Sequence, residues 1–557
     1  MFFQDPPRLG NQLADDCLLR EYLERTLAAD VLREIAPELS DMGERAGGEL
    51  YELSLASRNA RPELVQFDPW GRRVDRIRVP DAWQRLARFS AERGLVAIPY
   101  ERRHGAASRV HQFALVYLFA PSSLFYTCPL AMTDGAARTL SAHRAPMLER
   151  AVPRLIHRDP ALAWTSGQWM TERSGGSDVS ATETVARREG DGFRLHGAKW
   201  FTSATTSEMA LTLARPEGNP SGPRGLALFY LELRDESGAL NGIRIERLKE
   251  KLGTWALPTA ELTLDGARAE LVAGLDNGVR AIVPMLQTTR TWNAVIAVSS
   301  MRRGIALARD YAERRRAFGA PLAEKPLHLE TLARLEAEFE SQFLLAFRSV
   351  ELLGKLEAGD ATEREERLLR LLQPLAKLST AKAAVAHASE VLELFGGAGY
   401  VEDTGLPGLL RDAQVLTIWE GTTNVLSLDV ERALADDETL PAFVDELERL
   451  ASAARSSALR PACETALNAA ARAVAWYERA RNGTGELEAR ARSLSLVLAK
   501  AYALLLVCEH AEWLLKRSGD GRGLAVASRL ALDFSELDVL EQPTYYARAV
   551  ALAGMKC

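Results

Sequence analysis

The chain predicts a mainly α protein with a β domain set into its middle, and three observations lead there. At 557 residues, 47% of them hydrophobic, it can bury several cores at the usual ~100–200 residues per domain. Apolar residues recur every three or four positions toward both ends of the chain, the helical period. Between about 160 and 275 that period gives way to short β-like runs separated by Gly, Pro, Asn and Asp.

Taken in order, residues 1–158 read as helices joined by polar loops, as in "LLREYLERTLAADVLREIA" and "DAWQRLARFSAERGL". Residues 159–275 carry the β runs "DGFRLHGAKWFTS", "EMALTLARP", "RGLALFYLEL" and "TAELTLDGARAEL". In 276–434 the helical period returns, clearest at Leu332, Leu335, Phe339, Phe343, Ala346, Val350 and Leu353, one apolar stripe at steps of three and four. Similar stripes in 278–316, 365–395 and 421–434 predict a bundle of antiparallel helices. The acidic break "ADDETLP" then introduces 435–557, an appended helical domain rich in Ala and Leu.

Composition excludes several functions. With 69 basic and 75 acidic residues and a net charge of −6, free of long like-charge blocks, the chain has no global field toward nucleic acid or an anionic membrane. Cys17, Cys128, Cys463, Cys508 and Cys557 lie far apart and form no CxxC. That fits neither a disulfide framework nor a zinc site and makes a reducing cytoplasm the expected location. The N-terminus has no basic stretch followed by an apolar one, and the most apolar run, 493–508, is interrupted by Lys500. Neither secretion nor membrane spanning is expected. The eight histidines include no HExxH pair, so no metal chemistry is expected.

Four stretches carry chemistry. "WMTERSGGSDVSATET" (169–184) offers Thr171, Ser174, Gly175, Gly176 and Ser177, a loop of hydroxyls and backbone N–H groups able to bind phosphate or a heterocycle, although such clusters are usually plain turns. "KWFTS" (199–203) places Trp200 two residues before Thr202; on a regular strand the two share a face, so an indole can flank a planar ring whose polar edge meets the hydroxyl. "ERRRAFGAPL" (313–322) combines arginines with Phe318 and Gly319, either a solvated helix end or a phosphate partner. "IWEGTTN" (418–424) sets Glu420 between bulky Ile418–Trp419 and small polar residues. A fifth stretch, "LFGGAGY" (394–400), follows a helical segment and no strand, so Gly396 and Gly397 are expected to end a helix and not to cradle a nucleotide.

In this order and at these separations, "MTERSGGSD", "KWFTS", "RRAFGAPL", "LFGGAGYVEDTGLPGLLRDAQ" and "IWEGTTN" closely resemble the successive signatures of the acyl-CoA dehydrogenase family, over roughly 160–435. The chain looks most like the AidB-like branch, because of "MTERSGGSD" and "IWEG", the long N-terminal region and the extra helical C-terminus. The resemblance implies a helical N-terminal domain, a β-barrel, a four-helix bundle, and FAD held between barrel and bundle and across a subunit interface. By motif position, Met170, Thr171, Gly176 and Ser177 would contact the flavin ring and pyrophosphate. Trp200 and Phe201 would lie beside the isoalloxazine, with the Thr202 hydroxyl toward N5. Arg315 and Phe318 would reach a neighbouring subunit's cofactor in a homotetramer, a dimer of dimers. Gly396 and Gly397 would approach its adenosine end, and Trp419, Thr422 and Asn424 would lie along it beside Glu420.

The resemblance makes Glu420 the base that removes the α-proton of an acyl-CoA thioester while a hydride leaves the β-carbon for the flavin. Partial desolvation beside Trp419 is expected to raise its pKa toward the working pH. Some relatives place the base on an earlier helix before an arginine; here that pair is Thr289–Arg290, so Glu420 has no rival there. Two departures stand out: Glu393, where many relatives have Gln near the adenosine diphosphate, and Arg173, where most have Pro at the acyl-CoA entrance. The implied partners are acyl-CoA and an electron-transferring flavoprotein. The competing reading is a DNA-binding stress-response flavoprotein with a vestigial site. It is not favoured, because 436–557 carries 15 basic and 17 acidic residues.

Overall fold

Five strands close into a barrel. Met209–Pro216 pairs in parallel with Val185–Glu189, which pairs antiparallel with Gly192–Ser203. That strand is antiparallel to Thr259–Leu271, which in turn pairs with Ala227–Glu232, and Ala227–Glu232 returns to Met209–Pro216. Alternate residues point inward, and the interior is filled by Leu195, Ala210, Ala214, Phe229, Leu231, Leu262 and Leu264, with Trp169 from an added strand, Ser166–Trp169. Ile243–Leu248 adds to the Thr259–Leu271 strand. The computed structural model describes residues 5–481, 485–543 and 545–553.

One correction concerns the N-terminal region, which the sequence reads mainly as helices. It also holds a hairpin, Glu63–Phe67 with Arg73–Arg78. Its polar alternation is hard to tell from a loop until its partner is known: Asp75 Oδ2 accepts from Ile245 N at 2.9 Å and Arg73 donates to Ile245 O at 3.0 Å. The hairpin is thus tied to a strand about 170 residues away.

The described residues form two compact units. One comprises Met42–Arg103 and His111–Trp292, including the barrel; the other comprises Met1–Asp41, His104–Val110 and Asn293–Cys557. In the second unit the helices Pro326–Ala358 and Glu363–Leu394 are joined by a short turn, as antiparallel neighbours require. Thr362 and Glu365 form a reciprocal cap at the start of the later helix. Every member of the Leu332–Leu353 stripe is buried. The appended region holds the helices Thr439–Ala453, Arg460–Ala480 and Glu486–Ser518 and three shorter ones.

Glu486–Ser518 is apolar on nearly all sides, and by length and composition could cross a membrane; 83% of its most apolar window is buried inside the protein. A helix apolar all round is a core helix when protein surrounds it. Lys500, which interrupts the run, pairs with Asp533 at 2.8 Å. The N-terminal helix Cys17–Thr26 joins the same unit: Tyr22 meets Phe343 and Phe347 edge-on, and Glu21 pairs with Arg522.

Candidate active site

The barrel unit carries the first group of candidates. Thr171 follows the strand Ser166–Trp169 and Met170, and its carbonyl accepts from Trp200 N at 3.0 Å, which brings the two sequence motifs together. Glu172 and Gly175 then close a tight bridge. A β-carbon on Gly176 would collide with the Thr171 hydroxyl, so only glycine permits this close approach.

The loop is pinned from below by a buried ion pair. Lys199 Nζ donates to Glu172 Oε1 at 2.7 Å and to Leu213 O at 2.8 Å. Glu172 also accepts from Thr184 Oγ1 at 2.5 Å and Glu183 N at 2.6 Å. Burial pushes the Glu172 carboxyl up, but the Lys199 charge and these hydrogen bonds outweigh it and hold the group below the ordinary carboxylate range.

A bulge between Lys199 and Thr202 interrupts the pairing with Thr259–Leu271. Two residues there face one on the partner strand, which breaks strict alternation. The expectation that Trp200 and Thr202 share a strand face fails for this reason. Thr202 is turned in, 1% exposed, with its hydroxyl donating to Ala260 O at 2.7 Å, while Phe201 is 57% exposed. Two cations approach the Trp200 ring: Lys249 Nζ is 3.5 Å from its centroid and the Arg173 guanidinium 5.2 Å. The proline-to-arginine departure therefore places Arg173 on the indole. Ser177 is exposed at the end of the loop.

The bundle unit carries the second group. Glu420 is a non-glycine residue in the left-handed region, φ +57°, a conformation that costs about 1–3 kcal/mol and persists where the surroundings over-determine it. Lys377 Nζ, from the helix Glu363–Leu394, donates to Gly421 O at 2.7 Å. On the other side the Trp419 indole N–H donates to Asn293 Oδ1, and Asn293 Nδ2 donates to Leu416 O at 3.3 Å. Thr422 caps the helix Thr423–Leu434, its side chain accepting from Val425 N, and Asn424 is exposed in its first turn.

Arg315 begins a two-stranded hairpin, Arg316–Ala317 with Ala320–Pro321. Phe318 and Gly319 form its tip, both with positive φ, the type I′ geometry. Phe318 is 99% exposed. The helix Glu363–Leu394 stops before Gly396, whose φ of +57° is the left-handed stop that glycine adopts without strain. Gly397 follows in a short 3-10 turn, and Glu393 is exposed in the helix's last turn.

Residues 276–435 match the acyl-CoA dehydrogenase C-terminal domain and 167–267 its middle domain. Residues 5–159 match the N-terminal domain of the adaptive response protein AidB, and 438–537 a domain like the C-terminal one of acyl-CoA dehydrogenase 11. Acyl-CoA dehydrogenase family member 11 of Caenorhabditis elegans is 44% identical over 528 residues, covering 92% of this chain and 86% of the relative. The chain belongs to the acyl-CoA dehydrogenase family. The putative acyl-CoA dehydrogenase AidB of Escherichia coli is 33% identical over 71% of this chain and 73% of its own length. The crystal structure of C. elegans ACDH-11 in complex with C11-CoA superposes with a TM-score of 0.95 at 41% identity, covering 100% of this chain and 96% of that one.

Members of the acyl-CoA dehydrogenase family are FAD-dependent flavoproteins. The residues here fit such a group. Next to Met170 and Thr171, the Gln168 amide oxygen is buried with no hydrogen-bond partner among the described residues, an acceptor waiting for an N–H. The close Thr171–Gly176 approach leaves hydroxyl and backbone on one surface. Sequence reasoning missed Gln168, Glu172 and Lys199, although all three lie within or next to the quoted motifs. It also missed Asn293 and Lys377, for which no local signal exists.

Proposed function

We propose that the protein is an FAD-dependent acyl-CoA dehydrogenase that forms an α,β double bond in an acyl-CoA thioester, with Glu420 as the base. The observation that carries this reading is the left-handed Glu420, whose neighbours are fixed on both sides in sequence: Lys377 holds the Gly421 carbonyl and Asn293 the Trp419 indole. FAD, when bound, supplies the hydride acceptor. Glu420 takes the α-proton, its backbone N–H donates to the thioester oxygen, and Trp419 shields the acid from water.

Thr171, Gly176, Ser177, Trp200 and Thr202 on the barrel are assigned to FAD contacts by their motifs, and so, separately, are Gly396, Gly397, Thr422 and Asn424 on the bundle. Arg315 and Phe318 are assigned to a second subunit's cofactor in a homotetramer. The fully exposed tip of their hairpin supports that assignment. The relative solved with C11-CoA supports an acyl-CoA substrate, and an electron-transferring flavoprotein in the cytoplasm is the proposed acceptor.

The DNA-binding alternative finds little support in the appended region. Arg449, Arg472, Arg481, Arg490, Arg517 and Arg529 are all in ion pairs with Glu or Asp. Cations already neutralised release few counterions on a duplex. Anaerobic mixing of the FAD-loaded protein with acyl-CoAs of several chain lengths tests the proposal: flavin bleaching is expected. No bleaching with any of them, together with submicromolar duplex binding at physiological salt, reverses the assignment.

A further inference from the structure

Two long helices of the appended region, Arg460–Ala480 and Glu486–Ser518, pack against each other. On the first, Cys463, Ala466, Ala470 and Ala473 recur at steps of three and four, and all are buried. Side chains this small let two helix axes come close together. The register of the pair is pinned near both ends. Ser456 N, just ahead of the first helix, donates to Glu512 Oε2 at 2.8 Å. Toward the other end the Arg490 guanidinium lies 5.7 Å from the Trp476 centroid. The earlier residue of one helix meets the later residue of the other at both anchors, as antiparallel neighbours must, and the register they set puts Cys463 beside Cys508.

The two thiols are in contact: Cys508 donates a hydrogen bond to Cys463, and neither is in a disulfide. Cys508 is 0% exposed and Cys463 6%, so Cys463 is the outer sulfur of the pair.

The two sulfurs are not equivalent. Cys463 lies in the first turn of its helix, the end of the dipole that favours a thiolate. The hydrogen bond from Cys508 holds the Cys463 thiol below the ordinary range, against burial and the charges of Glu464 and Glu512. The same hydrogen bond, with burial, pushes the Cys508 thiol up. The outer sulfur is therefore the nucleophile and the inner one the resolving thiol. Glu464 and Glu512 disfavour an anionic oxidant and the small exposure of Cys463 a bulky one, which selects a small neutral oxidant, hydrogen peroxide.

We propose that Cys463 and Cys508 form a reversible disulfide when the protein meets hydrogen peroxide, cross-linking the two helices. The Cys463 thiol gives up its proton and attacks one peroxide oxygen; the O–O bond breaks, and the other oxygen leaves with that proton as water. Cys463 is then a sulfenic acid. The Cys508 sulfur attacks the sulfenic sulfur, its own proton joins the departing hydroxyl, and a second water leaves as the S–S bond forms. Two thiols are oxidised and one peroxide is reduced. A dithiol reductant restores both thiols by exchange. The product is a covalently closed helical hairpin spanning about 45 residues, Cys463 to Cys508.

The test is titration of the reduced, full-length protein with hydrogen peroxide, read by intact mass, by a thiol count after denaturation and by peptide mapping. A mass loss of about 2 Da is expected, with the five thiols of the chain falling to three, a cross-linked Cys463–Cys508 peptide, and full reversal by dithiothreitol. Cys508→Ser should stop at a sulfenic acid on Cys463 that dimedone traps. Cys463→Ser should lose the cross-link and leave Cys508 unmodified. If neither variant folds, the wild-type peptide map decides alone. Further oxidation of Cys463 without a cross-link, a disulfide through Cys17 in its place, or no loss of thiols at a peroxide dose that oxidises free glutathione overturns the proposal.

Discussion

The loop at Thr171 and the turn at Glu420 are held by opposite means. The barrel loop is fixed by a buried ion pair and a set of hydrogen bonds converging on the Glu172 side chain. The bundle turn is fixed through the backbone of Gly421 and the indole of Trp419, leaving a strained residue between them. A surface that binds must keep its shape, so its anchoring side chains are consumed by the fold. The turn that presents Glu420 is anchored through the residues on either side of it.

The sharpest way to break this contrast is Glu420→Gln. It should leave the fold and FAD binding intact and slow acyl-CoA-dependent flavin reduction by ~10²–10⁴-fold, measured by stopped-flow absorbance. Wild-type rates in the variant would move the base elsewhere.

On the barrel side the same kind of change should act on stability. Lys199→Met strands the buried Glu172 carboxylate and should cost about 3–5 kcal/mol, read from denaturant unfolding. Adding Glu172→Gln to it should recover part of the loss. A single variant as stable as wild type would mean that the loop is held by its other contacts.

A third prediction concerns the helix that supplies Lys377. On that helix His387 is fully buried, and burial, aided by the Arg334 charge, lowers its pKa to about 3 from the ordinary 6.5, against an opposing hydrogen bond to Leu335. Its folded-state pKa is depressed, so its contribution to stability is present above 6.5 and lost as pH falls toward 3. The loss is about 1.4 kcal/mol per pH unit below the unfolded value. Chemical unfolding of wild type and His387→Leu between these limits should show a flatter acid slope in the variant; identical slopes would refute it.

The smallest effect on stability should come from Glu420→Gly. A left-handed L-residue costs about 1–2 kcal/mol, and glycine returns part of that as unfolded-state freedom. A net gain of about 0.5 kcal/mol with no turnover is expected from melting curves. A loss of stability would mean that the contacts of the carboxylate outweigh the relief of backbone strain.

Much of this was legible in the sequence because it is local. The Leu332–Leu353 stripe needs only a period, and the barrel strands need only their short β-like runs and the breakers between them. The family motifs singled out Thr171, Trp200 and Glu420 as candidates. The hairpin at Glu63–Arg78 was not legible, since its partner strand is remote. Neither was the bulge that turns Thr202 inward, because one extra residue in a strand is invisible until its register is known. Lys377 and Asn293 are isolated polar residues in apolar helices, and only the turn they reach gives them meaning.

The unit that holds Glu420 is assembled from the first and last parts of the chain, and Glu21 is paired with Arg522, 501 positions later. During synthesis the barrel-containing unit has all its residues once Trp292 has emerged, whereas the first helix must wait for the last ones. At ~5–20 residues per second that interval is roughly 25–100 s. Tyr22, on the apolar side of the Cys17–Thr26 helix, gains its ring neighbours Phe343 and Phe347 part-way through that time, and Glu21 gains Arg522 only near its end. A nascent chain of this protein therefore holds every residue of its barrel-containing unit long before the unit that carries Glu420 can be completed.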